Sequence, residues 1–107
     1  MTTIATIDEL AAATADGAAV VDVREPGEYV GGHVPGAVLM PMGQLPSRVG
    51  ELDRHRPVYV ICASGNRSRA MSDHLARAGF DARSVDGGTA AWAAAGRPVV
   101  AGAKPSA

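Results

Sequence analysis

Tyr59-Val60-Ile61-Cys62-Ala63-Ser64-Gly65-Asn66-Arg67-Ser68 is the stretch that decides the fold of this 107-residue chain. Val58 to Ile61 is a continuous apolar run introduced by Pro57, without the alternation of a half-exposed strand. Such a run marks a strand covered on both faces, as in a parallel sheet. Small residues follow at once, and a helical pattern starts at Asn66. Ala70, Met71, His74, Leu75 and Ala78 fall on one stripe, and Gly79-Phe80 supplies a helix-ending glycine with an apolar residue after it, so the helix is expected over 66–78.

The same unit recurs outward from this stretch. Ala18 to Val23 is a second apolar, β-branched run, and Ala37 to Met40 and Ala82 to Val85 are weaker strand candidates, with Ile4 in an expected edge strand. Thr6 and Glu9 form a capping-box pattern that predicts a helix over 7–15, ended by Gly17. Further helices are expected over 25–30 and 43–52, and a last one capped by Thr89, carrying Trp92 and ending at Gly96. Alternating strands and helices imply an α/β fold, a small parallel sheet with helices on both faces. The reading is one domain over residues 1–100 and a flexible tail over 101–107.

Hydrophobic residues make up 47% and charged residues 20%, the balance of an ordinary globular domain. Ten basic against eleven acidic residues leave a net charge of -1, which argues against a nucleic-acid partner. No apolar stretch reaches the length of a membrane span, and the first ten residues lack the basic and apolar regions of a leader, so the expected compartment is the reducing cytoplasm. A monomer is the default expectation.

The chain has one cysteine, so it forms no internal disulfide. A lone cysteine is ordinarily a small buried hydrophobe. Cys62, however, stands at the carboxyl end of a buried strand, where open α/β sheets bind ligands. A loop of Ala63, Ser64 and Gly65 leading into a helix can turn successive backbone N–H groups inward, and the helix N-terminus adds partial positive charge. Gly65 permits a positive φ and Arg67 brings a full charge. These surroundings favour thiolate over thiol, which makes Cys62 a candidate nucleophile. His33, His55 and His74 are scattered, so no metal site is expected, nor any other cofactor.

Four segments together carry a family resemblance. Asp22-Val23-Arg24-Glu25, Gly32-His33-Val34-Pro35-Gly36-Ala37, Cys62 to Ser68, and Gly87-Gly88 with Trp92 resemble a single-domain rhodanese, of the thiosulfate sulfurtransferase family, over about Ile4 to Val100. The resemblance implies a five-stranded parallel sheet flanked by helices. It also implies that Cys62 is the catalytic cysteine, taking a sulfane sulfur as a persulfide and passing it to an acceptor, with Ala63, Ser64, Gly65, Asn66 and Arg67 as the binding loop. Related cell-cycle phosphatases have a loop one residue longer between Cys and Arg, wide enough for phosphate. The shorter ring of this chain fits sulfur. The partners so implied are a small donor such as thiosulfate and an acceptor, cyanide or a cellular thiol, with a redox protein as a further candidate. Two other readings stay open: a non-catalytic binding or redox-sensing module, and a Cys-based phosphatase or arsenate reductase.

Among the supporting residues, Arg67 and Ser64 have two readings each. Arg67 either faces the donor, the preferred reading, or ties the loop to a carboxylate. Ser68 is read as satisfying the helix start, and Ser64 as either a hydroxyl donor to the persulfide or merely a small residue. Asp22, inside an apolar strand, needs a partner such as Arg24 and is read as scaffold. His33 is expected to position its loop through Glu25 or Glu28, not to catalyse. Asp86-Gly87-Gly88 is expected to turn beside the active loop, with Trp92 anchoring the last helix. Because the loop lacks the two adjacent basic residues of the family's best thiosulfate binders, the resemblance implies that thiosulfate is a poor donor.

Overall fold

A computed structural model describes residues 2–106. The elements run β1 (Thr3–Ala5), α1 (Ile7–Ala15), β2 (Ala19–Asp22), α2 (Pro26–Gly31), β3 (Val38–Leu39), α3 (Leu45–Arg48), a 3-10 turn (Val49–Glu51), β4 (Val58–Ile61), α4 (Asn66–Arg77), β5 (Ala82–Val85) and α5 (Gly88–Ala94). The five strands form one sheet in the order β1-β5-β4-β2-β3, and every pairing is parallel. β4 lies at the centre, with crossovers leaving to both sides, so the loop after it opens at the switch point of the sheet.

The unbroken apolar character of β4 has a direct cause. Its side chains alternate between two cores. Tyr59 and Ile61 join Leu10, Tyr29, Val85 and Trp92 on the side of α1, α2 and α5, whereas Val58, Val60 and Cys62 join Leu45, Leu75 and Phe80 on the side of α3 and α4. All of β4 is therefore buried, and each methylene removed from water contributes about 0.8 kcal/mol.

Local chemistry sets the helix ends. The predicted capping box of α1 forms, with the Glu9 amide donating to Thr6 Oγ1 at 3.0 Å and the Thr6 amide to Glu9 Oε1 at 2.9 Å. The single helix expected over 43–52 is instead the short α3 and a 3-10 turn, because Pro46 fits a first turn and Gly50 weakens propagation. Thr89 does not cap α5. Gly87, in the left-handed region at φ 75°, takes that place, and Thr89 lies within the first turn.

Asp22 and Arg24 form the buried ion pair that tethers the end of β2. The Asp22 carboxylate is fully buried and accepts from Arg24 Nε, the Arg24 terminal nitrogen at 2.9 Å and the Arg24 amide at 3.0 Å. The same guanidinium donates to the Gly32 carbonyl at 2.8 Å, fixing the exit of α2. His33 does not reach Glu25 or Glu28. Its ring turns inward, stacks on Tyr29 with centroids 3.7 Å apart, and faces the carbonyls of Tyr29 at 2.9 Å and Pro105 at 3.1 Å. The segment read as a tail also meets the loop through the Pro105 carbonyl, which accepts from the Gly36 amide at 3.0 Å. No helix of the described residues is long and apolar enough to cross a membrane.

Replacing Asp22 by Ala strands the Arg24 charge in the interior. The expected loss is about 3–5 kcal/mol, read as a lower urea midpoint with unchanged slope. A loss below about 1 kcal/mol would show that the pair does not hold the loop.

Candidate active site

Cys62 follows the last residue of the central strand, and the next residues curl beneath it into α4. Gly65 makes the curl possible: its φ of 113° lies in the left-handed region, and its amide donates to Cys62 Sγ at 3.1 Å. Ser68 sits one turn inside α4, fully buried, with Oγ at 3.5 Å from the sulfur. The cysteine itself is 1% exposed. Burial pushes its thiol up, but the Ser68 hydroxyl and the amides of Ser68, Gly65 and Ser64 act the other way and together hold it below the ordinary thiol range. Each such hydrogen bond to an ionised group contributes roughly 1.5–3 kcal/mol.

The other side of the Cys62 peptide is fixed by α5. The Thr89 amide at 2.8 Å and Thr89 Oγ1 at 3.0 Å both donate to the Cys62 carbonyl, and the Ala90 amide donates to the Ala63 carbonyl at 3.0 Å. Gly88 lies so close that a Cβ there would stand 2.5 Å from the Cys62 oxygen and 2.7 Å from the Ala63 carbonyl carbon. The Gly87-Gly88 pair therefore turns beside the active loop as expected, and the second glycine is required by contact with backbone. Trp92 is buried as an anchor, its indole N–H donating to the Pro98 carbonyl at 2.7 Å.

Arg67 makes the contact of its second reading: its guanidinium forms a two-pronged, half-exposed pair with Glu28 of α2, at 2.7 and 2.9 Å. The Arg67 hydrogen bonds hold the Glu28 carboxyl at about 2, so Glu28 is ionised at neutral pH. Arg69 pairs with Asp86 at 3.3 Å, and Arg24 is held by Asp22. Ser64 and Asn66 are exposed on the rim. Beside the loop a shallow cleft of about 360 Å³ is lined by Arg24, Gly32, Ala63, Ala90 and Val99.

The structure thus brings Ala63, Ser64, Gly65 and Ser68 around Cys62, places Asp22 and Arg24 as the neighbouring tether, and sets His33 behind α2 as a loop support. Three residues escaped the sequence reading: Glu28 as the partner of Arg67, Thr89 as the clamp on the Cys62 carbonyl, and Ser84. Ser84 is fully buried on β5, with its hydroxyl 2.8 Å from Ser68 Oγ. A lone hydroxyl in an apolar strand was the one available signal, and it identifies no partner until β5 is registered against β4.

Comparison with known proteins agrees with this geometry. The rhodanese-like domain family matches residues 6–95. A sulfurtransferase of Allochromatium vinosum is 37% identical over 83 residues, covering 77% of this chain and 78% of that protein. The crystal structure of a rhodanese-related protein from Thermoplasma volcanium superposes with a TM-score of 0.86 at 33% identity, covering 92% of this chain and 97% of that one. A thiosulfate sulfurtransferase from Pseudomonas aeruginosa gives a TM-score of 0.87 at 30% identity over 94% of this chain, which corresponds to 20% of that larger chain. In sequence and topology, this chain belongs to the rhodanese-like domain family.

Proposed function

We propose that the protein transfers sulfane sulfur through a persulfide on Cys62. The observation that carries this reading is the sulfur held at the carboxyl end of the central strand by the Gly65 amide and the Ser68 hydroxyl, in surroundings that favour its anion. The Cys62 thiolate attacks the outer sulfur of thiosulfate or a similar donor. The donor's S–S bond breaks, sulfite leaves with the electron pair, and Cys62 carries the transferred sulfur as an anionic persulfide. Cyanide or a thiol then attacks that terminal sulfur, and Cys62 departs as thiolate. With one cysteine in the chain, the acceptor is external.

Charge at the rim bears on the donor. Arg67 and Arg69 are each neutralised by a carboxylate, so the loop offers the thiosulfate dianion amide dipoles rather than an unpaired cation. A donor of lower charge, such as a persulfide, suits this rim better than thiosulfate. The near-complete burial of Cys62 supports a second reading, a binding or redox-sensing module whose thiol does not turn over. Sulfur uptake separates the two.

Incubation with thiosulfate or a small-molecule persulfide should raise the intact mass by one sulfur atom, and cyanide should remove it as thiocyanate. Cys62→Ser should gain nothing. Wild-type protein that takes up no sulfur from either donor contradicts the proposal. Glu28→Gln frees Arg67 for the donor and should lower KM for thiosulfate severalfold with little change in kcat. An unchanged or higher KM would show that Arg67 serves only to hold the loop.

A further inference from the structure

Three buried groups form a file on the α4 side of the sheet: Cys62 Sγ, Ser68 Oγ at 3.5 Å from it, and Ser84 Oγ at 2.8 Å from Ser68. The parallel register sets Ser84 opposite Val60, whose side chain faces the same core as Cys62. We propose that Ser84 is a positioning residue, whose hydroxyl holds Ser68 in the state that serves the Cys62 thiolate. The inference rests on the Cys62 chemistry proposed above and names a residue for it.

Proton counting gives the reason. Ser68 Oγ has one proton and three neighbours: the Gly65 carbonyl at 3.0 Å, the sulfur and Ser84. While Cys62 is a thiol, its S–H donates to Ser68 Oγ, and Ser68 donates to the Gly65 carbonyl. When the thiol loses its proton to solvent, rotation about the Ser68 Cβ–Oγ bond swings the hydroxyl proton onto the sulfur. No covalent bond of Ser68 breaks. The Gly65 carbonyl keeps the Arg69 amide at 3.2 Å. Ser68 Oγ has now lost the S–H donor, and Ser84 is what supplies it with one.

Removing the Ser84 hydroxyl therefore costs a hydrogen bond in both states but weighs more on the thiolate. The thiol form keeps Ser68 Oγ satisfied through S–H, whereas the thiolate form leaves that buried oxygen without a donor. The same asymmetry bears on the second half of transfer, in which Cys62 departs as thiolate. The charged groups around the file are Arg67 and Arg69 on α4, Glu28 on α2, Asp86 after β5, and Asp22 and Arg24 at the end of β2; they pair with one another and not with either serine. Ser72, one turn beyond Ser68, supplies an internal control, since its buried hydroxyl has no hydrogen-bond partner among the described residues.

The test is a pH titration of thiolate ultraviolet absorbance, with Cys62→Ser subtracted to remove tyrosine ionisation. Ser84→Ala should move the midpoint up by about one pH unit, which is roughly tenfold less thiolate at any pH well below it. Ser72→Ala should leave the midpoint in place. Ser84→Thr and Ser84→Val, alike in shape, should differ, the threonine near wild type and the valine displaced upward; this pair decides the matter if the alanine variant does not fold. An unmoved midpoint in folded Ser84→Ala, an equal shift in Ser72→Ala, or coincident threonine and valine curves would overturn the assignment. The readout is ionisation and not turnover, so failure to accept sulfur leaves this result standing, and an unmoved midpoint leaves the persulfide chemistry standing.

Discussion

The peptide between Cys62 and Ala63 is the fixed point of the molecule. On one side it is pressed against Gly88, where no side chain fits, and its flanking carbonyls accept three hydrogen bonds from the first turn of α5. On the other side the chain turns back through Gly65 so that an amide and a buried hydroxyl reach the sulfur. With the carbonyl held there, the curl of the loop closes around the sulfur. The sheet contributes by placing this peptide at the end of its central strand, and the two cores by burying that strand on both faces.

Acidity of the thiol then follows mainly from dipoles, with the Arg67 charge acting on Cys62 from further off. The three arginines around the loop are each spoken for: Arg24 by Asp22, Arg67 by Glu28, Arg69 by Asp86. What remains for the sulfur are amides and hydroxyls, short-range groups that do not respond to salt as exposed charges do. They oppose a burial that on its own would favour the neutral thiol. The balance suits the anionic states of the transfer proposed above, the thiolate and the persulfide.

Much of this was legible in the sequence because it is local or periodic. Continuous apolar runs mark the inner strands, Thr6 and Glu9 mark the start of α1 at Ile7, and Cys62 before a small-residue loop and a helix marks the candidate site. What was illegible depends on side chains far apart in the chain. In the sequence Arg67 offers its charge to a ligand, but only the fold shows the carboxylate 39 positions away that pairs with it. His33 lies within reach of two glutamates in sequence, but stacking on Tyr29 turns its ring to the opposite side. Thr89 matched a capping residue by type, yet the left-handed Gly87 took the cap and left its hydroxyl to the Cys62 carbonyl. Ser84 needed the β4–β5 register, which no spacing within β5 supplies.

The most direct test of the account compares Cys62 with itself. Thiolate absorbance titrated in the folded wild-type protein and again in urea measures what the fold does to the sulfur. The account predicts a lower midpoint in the folded protein than in the unfolded chain. A folded midpoint equal to or above the unfolded one would mean that burial outweighs the Gly65 amide and the Ser68 hydroxyl, and that this loop does not prepare Cys62 for nucleophilic attack.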